Sequence, residues 1–421
     1  MAATEKPQVS VNAKAYGWPR KPVVVVCIDG GDPAYFDHGL ECGYIPNVAR
    51  FMAEGFSAIA DGTVPSVTCT NNMSLITGAP ASVHGISGNF YLDPVTGEAV
   101  VMTGPELLRG ETIFAQFARA GARIAAVTAK DKLRRQLGKG LDVARGNICF
   151  SSEQADKCST AEHGIDDALG FVGMPKPDMY SPDLSLFVLE AGVRILRRDR
   201  PDILYLSLTD YVQHKYAPGE PEAIEFYRKI DEAFGRLAEL DAIVALTADH
   251  GMNDKSKPDG SPNVVWLQDI LDAEFGKGDT KVICPITDAF IAHHGALGGF
   301  VRVYCRGGRA TPESVMRLTE AIEGIAEVYD RHAVCEKFDL PLDREGDVAV
   351  ISAVNFCVGG ARAEHNLSGL EGHRLRTHGG VSEARVPFVI SEPVSDAYRQ
   401  KAQAKPLNSY QLFDFVLNGT A

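Results

Sequence analysis

Short apolar runs alternate along the chain with longer stretches of helical pattern. Strands are predicted over residues 23–28, 56–60, 122–129, 203–208, 242–247 and 386–390, and helices over 46–55, 68–77, 111–120, 188–197 and 222–240. Several of the apolar runs are continuous rather than alternating with polar residues, which is typical of strands buried on both faces. Strands that alternate with helices predict an α/β fold, with a mostly parallel sheet sandwiched between helices.

The pattern changes after Gly251. Residues 254–262 are rich in Lys, Asp, Gly, Ser and Pro, and we interpret them as an exit linker. Residues 300–305, 312–322 and 348–354 then have the pattern of strand, helix and strand, which predicts a smaller α+β insertion. The chain returns to the core near residue 366. We therefore predict a catalytic core of residues 20–255 and 365–421, with residues 256–364 inserted as a cap.

Composition narrows the class of protein. The 421 residues exceed the usual size of one hydrophobic core, and the formal net charge of −13 argues against a nucleic acid as partner. No stretch reaches the ~18 apolar residues of a membrane span. The nine cysteines are odd in number and show no Cys-x-x-Cys spacing, which indicates a reducing compartment. Since the first twenty residues also have no apolar signal core, we expect a cytoplasmic enzyme.

Asp and His side chains stand just beyond three of the predicted strands, and a further His lies in a glycine-rich loop. Such side chains are costly at the end of a buried strand unless something pairs with them. Each has an alternative explanation, such as a turn Asp, a helix-capping Asp or a hydrogen-bonded core His. Their joint occurrence favours one site for two divalent cations at the carboxyl edge of the sheet. The candidate ligands are Asp29, Asp210, His214, Asp249, His250 and His378.

The ligand chemistry selects the metal. Carboxylate oxygen and imidazole nitrogen without thiolate suit zinc, and also manganese or iron. Two zinc ions are the first choice, because two tetrahedral sites need about this number of ligands.

A hydroxyl at the start of the predicted helix 68–77 is a candidate nucleophile. Thr68 would lie where backbone N–H groups and the helix dipole favour an approaching phosphoryl anion. A metal bound to that hydroxyl would lower its pKa. Ser66 and Thr70 compete for this role, and Thr68 could equally be a plain helix cap, as could Ser66.

The chain resembles the alkaline phosphatase superfamily in the order Asp29, Thr68, Asp210-x-x-x-His214, Asp249-His250-Gly-Met and Thr377-His378-Gly-Gly. Within it, the chain is similar to the branch that holds nucleotide pyrophosphatase/phosphodiesterases and phosphonoacetate hydrolases. The resemblance covers residues 20–255 and 365–420 and implies an alkaline phosphatase-like core. It implies one zinc held by Asp29, Thr68, Asp249 and His250, and a second held by Asp210, His214 and His378.

The same resemblance implies the roles of further residues. Thr68 would be the nucleophile, and Asn89, in His84-Gly-Ile-Ser-Gly-Asn89, would contact a phosphoryl oxygen. Residues 128–139 form a basic cluster in an acidic protein, and composition alone explains them as a solvated helix start. In the phosphonoacetate hydrolases, which this segment also resembles, lysines here hold the substrate carboxylate. The expected substrate-binding residues are therefore Asn89, Lys130, Lys132 and His214.

These resemblances imply hydrolysis of the carbon–phosphorus bond of phosphonoacetate through a phospho-threonine intermediate. The expected partner is a small anionic phosphonate, with no nucleic acid and no membrane, and a homodimer is compatible with the sequence. One alternative is a phosphodiesterase or nucleotide pyrophosphatase on the same fold, which would need an aromatic slot for a base. A second alternative is a catalytically silent metal-binding module with a ligand-sensing cap.

Overall fold

The structure of the chain is a computed structural model that describes residues 8–93, 95–287, 295–370 and 372–420. Its strands are, in chain order, β1 (Val9–Val11), β2 (Lys14–Tyr16), β3 (Val23–Cys27), β4 (Phe56–Asp61), β5 (Phe90–Leu92), β6 (Ala99–Val101), β7 (Ile124–Thr128), β8 (Ile148–Ser151), β9 (Ile203–Ser207), β10 (Ile243–Thr247), β11 (Asn253–Asp254), β12 (Val264–Trp266), β13 (Thr280–Ile283), β14 (Phe300–Cys305), β15 (Ile325–Asp330), β16 (Val348–Ser352), β17 (Cys357–Gly359), β18 (Arg376–Thr377), β19 (Arg385–Ile390) and β20 (Leu407–Asn408).

The α-helices alternate with these strands in the first half of the chain. They are α1 (Pro33–Cys42), α2 (Pro46–Glu54), α3 (Thr68–Thr77), α4 (Ala81–His84), α5 (Ile113–Arg119), α6 (Asp131–Leu137), α7 (Thr160–His163), α8 (Ala168–Val172), α9 (Asp183–Asp199), α10 (Tyr211–Lys215), α11 (Pro221–Glu239), α12 (Leu267–Phe275), α13 (Pro312–Glu320), α14 (Arg331–Phe338), α15 (Asp396–Ala404) and α16 (Leu412–Asp414).

A large sheet of eight strands organises the fold, in the order β20-β4-β19-β10-β3-β9-β7-β8. Only β19 runs antiparallel to both of its neighbours in this sheet, and the remaining pairs are parallel. Helices cover both faces. The predicted α/β class with a mostly parallel, helix-sandwiched sheet is therefore confirmed.

Strand β3 shows that the central part of the sheet is buried on both faces. All five of its residues are buried, and successive side chains point to opposite faces. Val23 and Val25 pack with α3, α5 and the C-terminal segment, whereas Val24 and Val26 pack with α2, α9 and α11. A strand in this position needs the continuous apolar run that the sequence shows.

A second, smaller sheet is antiparallel and has the order β13-β14-β16-β15. Helices α12 and α13 pack on it through Leu267, Leu271 and Val315. Its residues fall inside the segment predicted as a cap, although the exact division of the chain into core and cap stays a prediction. Among the helices in the described ranges, none has the length and apolar character that crossing a bilayer requires.

Three local expectations from the sequence differ from the structure. Helix α3 is preceded by Val67 and has no side-chain cap, because Ser66 Oγ donates instead to the Gly380 carbonyl oxygen at 2.8 Å. Lys130 and Lys132 follow a predicted strand and would point the same way if the extended geometry continued, but helix α6 begins at Asp131 and Lys132 lies in its first turn. The segment predicted as a linker contains Lys255, which is completely buried.

Candidate metal centre and active site

The candidate ligands come from three adjacent parallel strands at the centre of the large sheet. Strands β10, β3 and β9 lie side by side, and their registers align Thr247, Cys27 and Ser207. Asp249, Asp29 and Asp210 follow these strand ends in the chain. Because parallel strands end at the same sheet edge, the three carboxylates meet there. The structure therefore places the three Asp residues at one edge of the sheet, which is where the sequence pattern predicted them.

The first cluster contains Asp29, Asp249 and His250, whose donor atoms lie within 4.8 Å of one another. His250 Nε2 is 3.2 Å from Asp29 Oδ1 and 3.8 Å from Asp249 Oδ2. All three side chains are buried. The Gly30 backbone N–H donates to Asp249 Oδ1 at 3.2 Å, so the loop after β3 orients the carboxylate that follows β10.

The second cluster contains Asp210, His214 and His378. Helix α10 brings the first two together, with His214 Nε2 2.8 Å from Asp210 Oδ2. His378 follows β18 in a separate loop and places Nε2 3.8 Å from the same oxygen. The spacing of four residues between Asp210 and His214 thus produces the juxtaposition that the sequence predicted.

The two clusters adjoin each other. The imidazole rings of His250 and His378 stack with their centroids 3.5 Å apart and their planes 8° apart. Six buried Asp and His side chains therefore share one edge of the sheet. Such an arrangement suits two divalent cations held close together.

Backbone carbonyl groups fix the orientation of all three imidazole rings. The Nδ1 atoms of His214, His250 and His378 lie 2.7, 2.9 and 2.6 Å from the carbonyl oxygens of Arg376, Gly251 and Ser66. A carbonyl oxygen only accepts, so each Nδ1 carries a hydrogen and the lone pair of the neutral ring is on Nε2. Histidines that bind a metal through one ring nitrogen usually donate the N–H of the other in this way.

The donor set fits a metal. In the neutral tautomer, His214 Nε2 and Asp210 Oδ2 are two acceptors 2.8 Å apart, a contact that a proton or a cation must bridge. Burial raises the pKa of Asp29 well above its usual value, and the charges of Asp210 and Asp249 raise it further. Three buried carboxylates remain ionised together only when positive charge is supplied.

The pKa values of the histidines diverge for related reasons. Burial opposes protonation of His250, but the carboxylates of Asp249 and Asp29 outweigh burial and raise its pKa to about 10. Burial lowers the pKa of His378 well below its usual value, and the neighbouring histidines act in the same direction. Of the two stacked rings, that of His250 therefore favours the protonated form and that of His378 favours the neutral form.

Thr68 is the candidate nucleophile that faces this centre. It is the first residue of α3, and its Oγ1 lies 3.5 Å from His250 Nε2. The two competing hydroxyls are placed differently: Ser66 Oγ donates to Gly380, and Thr70 is completely buried and does not line the cavity described below. The structure therefore favours Thr68 among the three.

Asn72 joins the helix of Thr68 to the first cluster. Its Nδ2 donates to the Thr68 carbonyl oxygen at 3.0 Å and lies 3.4 Å from Asp249 Oδ2. Its Oδ1 accepts hydrogen bonds from Tyr205 and Ser207 on β9. Sequence reasoning missed this residue, because a buried Asn in a helix has no pattern that marks it as a linker between segments.

The candidate residues surround one small cavity. Its volume is about 40 Å³. Its walls include Thr68, Asn89, Lys130, Lys132, Asp29, Asp210 and His378. Asp29 of the first cluster and Asp210 and His378 of the second therefore face the same space as the Thr68 hydroxyl and the two lysines.

The lysine side chains give the cavity a positive wall. Burial lowers the pKa of Lys130, and Lys132 lowers it further, whereas Asp210 and Glu153 act in the opposite direction. A bound anion would favour the charged lysine. Asp131 faces elsewhere, since its carboxylate accepts from Arg134 at 2.6 Å and from Ser151 at 3.1 Å.

The smaller sheet holds Asn89 in the cavity wall. The Asn89 N–H donates to the Pro285 carbonyl oxygen at 2.8 Å, and its Nδ2 lies 3.3 Å from the Ile286 carbonyl oxygen. Gly88 permits this approach, because a Cβ there would lie 2.7 Å from Pro285 Cβ. To meet a phosphoryl oxygen, the carboxamide must turn Nδ2 towards the cavity.

A buried ion pair fixes the segment that carries Asn89. Arg302 on β14 donates to Glu345 at 2.7 and 2.6 Å, and it also donates to the carbonyl oxygens of Ser87 and Phe90 at 2.6 and 2.9 Å. Arg302 and Glu345 are both buried. The position of Asn89 thus depends on the smaller sheet.

The chain matches known proteins along most of its length. The model of the family "Type I phosphodiesterase / nucleotide pyrophosphatase" matches residues 23–380. Two crystal structures of the phosphonoacetate hydrolase of Sinorhizobium meliloti 1021, in complex with phosphonoformate and with phosphonoacetate, are each 45% identical in sequence to this chain. Each covers 99% of this chain and 100% of its own, with a TM-score of 0.93.

More distant relatives share the fold. Human ectonucleotide pyrophosphatase / phosphodiesterase 5 is 17% identical and has a TM-score of 0.61 over 96% of both chains. An uncharacterised pyrophosphatase/phosphodiesterase of Schizosaccharomyces pombe is 24% identical over 268 residues, which are 59% of this chain. The chain spans about half the length of that relative, 47%.

Proposed function

The chain belongs to the type I phosphodiesterase / nucleotide pyrophosphatase family, and we propose that within it the protein hydrolyses phosphonoacetate to acetate and phosphate. The observation that carries this proposal is the cavity that Thr68, two lysines and members of both candidate ligand clusters line together. The clusters and the hydroxyl suit a phosphonate group, and the lysines suit a carboxylate. The 45% identity to a phosphonoacetate hydrolase over nearly the whole chain supports the same substrate.

Two zinc ions are the proposed cofactors. Asp29, Thr68, Asp249 and His250 would hold one, and the second would be held by Asp210, His214 and His378. The oxygen and nitrogen donors suit zinc, with manganese or iron as substitutes. Cys69 also lines the cavity but belongs to neither candidate ligand cluster, and burial raises the pKa of its thiol. When bound, the metals would supply positive charge to the phosphonate oxygens and would make the Thr68 hydroxyl more acidic.

The Thr68 oxygen is proposed to attack phosphorus. The Thr68 hydroxyl gives up its proton to water as a bond forms between Oγ1 and phosphorus, while the carbon–phosphorus bond breaks on the opposite side. The electron pair leaves with carbon, as the ene-diolate of acetate, and protonation from water gives acetate. A second water then attacks the phospho-threonine, which releases phosphate and restores the hydroxyl.

The other cavity residues are proposed to bind and orient the substrate. Lys130 and Lys132 would hold the carboxylate and would stabilise the negative charge that develops on it as the carbon departs. Asn89 would donate to a phosphonate oxygen. His214, whose Nε2 lies 2.8 Å from the cavity residue Asp210, would help to orient the substrate from the side of the second cluster.

The alternative substrate is a nucleotide phosphodiester, which the family description includes. Among the described residues that line the cavity, none is Phe, Tyr or Trp, and its one imidazole ring, that of His378, belongs to the second cluster and stacks on His250. These residues therefore offer no indole or phenyl ring for a base to stack on. These features favour a small phosphonate.

The deciding experiment measures phosphate release from phosphonoacetate by the purified protein and counts bound metal in the same sample. Phosphonopyruvate, 2-aminoethylphosphonate and a nitrophenyl phosphodiester serve as competing substrates. We expect the highest kcat/KM for phosphonoacetate and about two zinc equivalents per chain. Faster turnover of the phosphodiester would support a phosphodiesterase. Zinc binding without turnover of any substrate would indicate a metal-binding module that has no catalytic activity.

A further inference from the structure

Thr128 is a cavity residue to which the proposed mechanism gives no role. It is the last residue of β7, and its register partners are Ser207 on β9 and Ser151 on β8. Only 1% of its surface is exposed, and it lines the cavity together with Thr68, Lys130 and Lys132. Its backbone carbonyl oxygen already accepts from the Ser152 N–H at 2.9 Å.

The hydroxyl of Thr128 has no hydrogen-bond partner among the residues that the structure describes. The two neighbouring hydroxyls differ, because Ser207 Oγ donates to Asn72 and Ser151 Oγ donates to Asp131. A buried hydroxyl without a partner is unusual in a native protein and calls for an explanation, such as a ligand that completes it.

The order of strands indicates which end of the substrate this hydroxyl meets. Metal-cluster carboxylates follow β10, β3 and β9, whereas β7 is the next strand outward and leads directly to Lys130 and Lys132. Neighbouring strands lie about 4.8 Å apart. Thr128 therefore stands on the lysine side of the cavity, one strand beyond Asp210.

We propose that Thr128 Oγ1 donates a hydrogen bond to the substrate carboxylate and acts as a specificity-determining residue beside Lys130 and Lys132. This inference rests on the proposed function. It predicts that the hydroxyl matters for carboxylate-bearing ligands and not for ligands that carry only the phosphonate group. Hydrogen bonds to charged groups are stronger than neutral ones, so its loss has a measurable effect.

The test replaces Thr128 by Val, which keeps the shape and removes the hydroxyl. Thr319→Val is the matched control, because Thr319 in α13 is equally buried and its hydroxyl, which donates to the Val315 carbonyl oxygen, does not line the cavity. Three quantities are measured on metal-loaded protein: the melting temperature, kcat/KM for phosphonoacetate, and the inhibition constant of methylphosphonate, which has no carboxylate.

We expect Thr128→Val to remain folded and to lose at least about tenfold in kcat/KM for phosphonoacetate, equivalent to about 1.4 kcal/mol. Methylphosphonate should bind as it does to the wild type, and Thr319→Val should resemble the wild type in both measurements. An unchanged kcat/KM, an equal loss for both ligands or an equal loss in Thr319→Val would overturn the role of Thr128. Absence of phosphonoacetate turnover in the wild type would instead refute the proposed function.

Discussion

Lys255 Nζ lies 2.8 Å from Glu383 Oε1, and neither side chain has any exposed surface. The pair connects two loops that carry candidate ligands. The Gly251 N–H, one residue after His250, donates to the Glu383 carbonyl oxygen at 2.7 Å, and the Gly380 N–H donates to Glu383 Oε2 at 2.9 Å. Lys255 Nζ also donates to the Val354 carbonyl oxygen at 2.7 Å.

Removal of one partner of this ion pair should destabilise the protein strongly. Lys255→Met leaves the buried Glu383 carboxylate without its counter-charge, and such changes cost about 3–5 kcal/mol. The free energy of unfolding, measured by urea denaturation, should fall by that amount. Replacement of the exposed Lys257 by Met in the same segment is the control and should change it by less than about 0.5 kcal/mol. Equal effects of the two changes would contradict a structural role for the pair.

Lys255 also illustrates where sequence reasoning fails. The polar composition of residues 254–262 predicted an exit linker, yet Lys255 is buried against a carboxylate 128 residues away in the chain. Nothing local to either residue marks such a partner. Contacts made by the backbone cannot be predicted from residue type either. The carbonyl oxygens of Ser66 and Arg376 orient His378 and His214, but every residue has a carbonyl group, so nothing in the sequence marks these two.

The parts of the site that the sequence did predict follow from short-range rules. A continuous apolar run identifies a buried strand such as β3, and parallel strands end at one sheet edge, so Asp29, Asp210 and Asp249 were expected to meet. The four-residue spacing of Asp210 and His214 required only helical geometry. By contrast, the start of α6 at Asp131 depends on tertiary contacts such as the Glu153 carboxylate, which accepts from the Asp131 N–H at 2.8 Å.

Substitution of Thr68 should separate catalysis from metal binding. Thr68→Ala removes the proposed nucleophile, and by comparison with other enzymes that use covalent catalysis we expect kcat to fall roughly 10⁴- to 10⁶-fold. Much of the bound metal should remain, because Asp29, Asp249 and His250 still surround the first site. Thr68→Ser keeps a hydroxyl and should retain activity. Metal content and quenched-flow labelling check this, and phosphate trapped on Ser66 or Thr70 would reassign the nucleophile.

His84 should make the stability depend on pH. Burial lowers its pKa to about 3, and the positive charge of Arg344 acts in the same direction. Its Nδ1 accepts from the Ile86 N–H at 3.1 Å, so Nε2 carries the hydrogen and donates to Ser74 Oγ at 2.9 Å. A proton on Nδ1 would break the first of these bonds. The folded protein therefore resists protonation that the unfolded chain accepts near pH 6.5.

The sign of the effect follows from this difference. Because the pKa of His84 is lowered in the folded state, its contribution to the free energy of unfolding is fully present above pH 6.5. This contribution is lost as the pH falls towards 3, by at most about 1.4 kcal/mol per pH unit. His84→Gln cannot titrate. We expect the difference in unfolding free energy between the wild type and this variant to shrink from pH 8 to pH 4.5. Urea denaturation at several pH values measures it, and parallel curves would exclude the contribution of His84.

Replacement of either cavity lysine should change selectivity more than general activity. Charge-assisted hydrogen bonds of this kind contribute roughly 1.5–3 kcal/mol each, and charge on the substrate carboxylate increases as the carbon–phosphorus bond breaks. Lys130→Ala and Lys132→Ala should therefore lower kcat/KM for phosphonoacetate by roughly one to two orders of magnitude. Arg135→Ala is the control, because it removes one positive charge from the same helix at an exposed position outside the cavity.

A phosphomonoester with a good leaving group completes this comparison, because it has neither a carboxylate nor an ene-diolate to stabilise. Its kcat/KM should change by less than about threefold in the lysine variants, provided that their zinc content equals that of the wild type. Equal losses for both substrates would mean that the lysines act on the metal centre or the fold. A loss in Arg135→Ala as large as in Lys130→Ala would mean that the net charge of α6, rather than contact with the carboxylate, attracts the substrate.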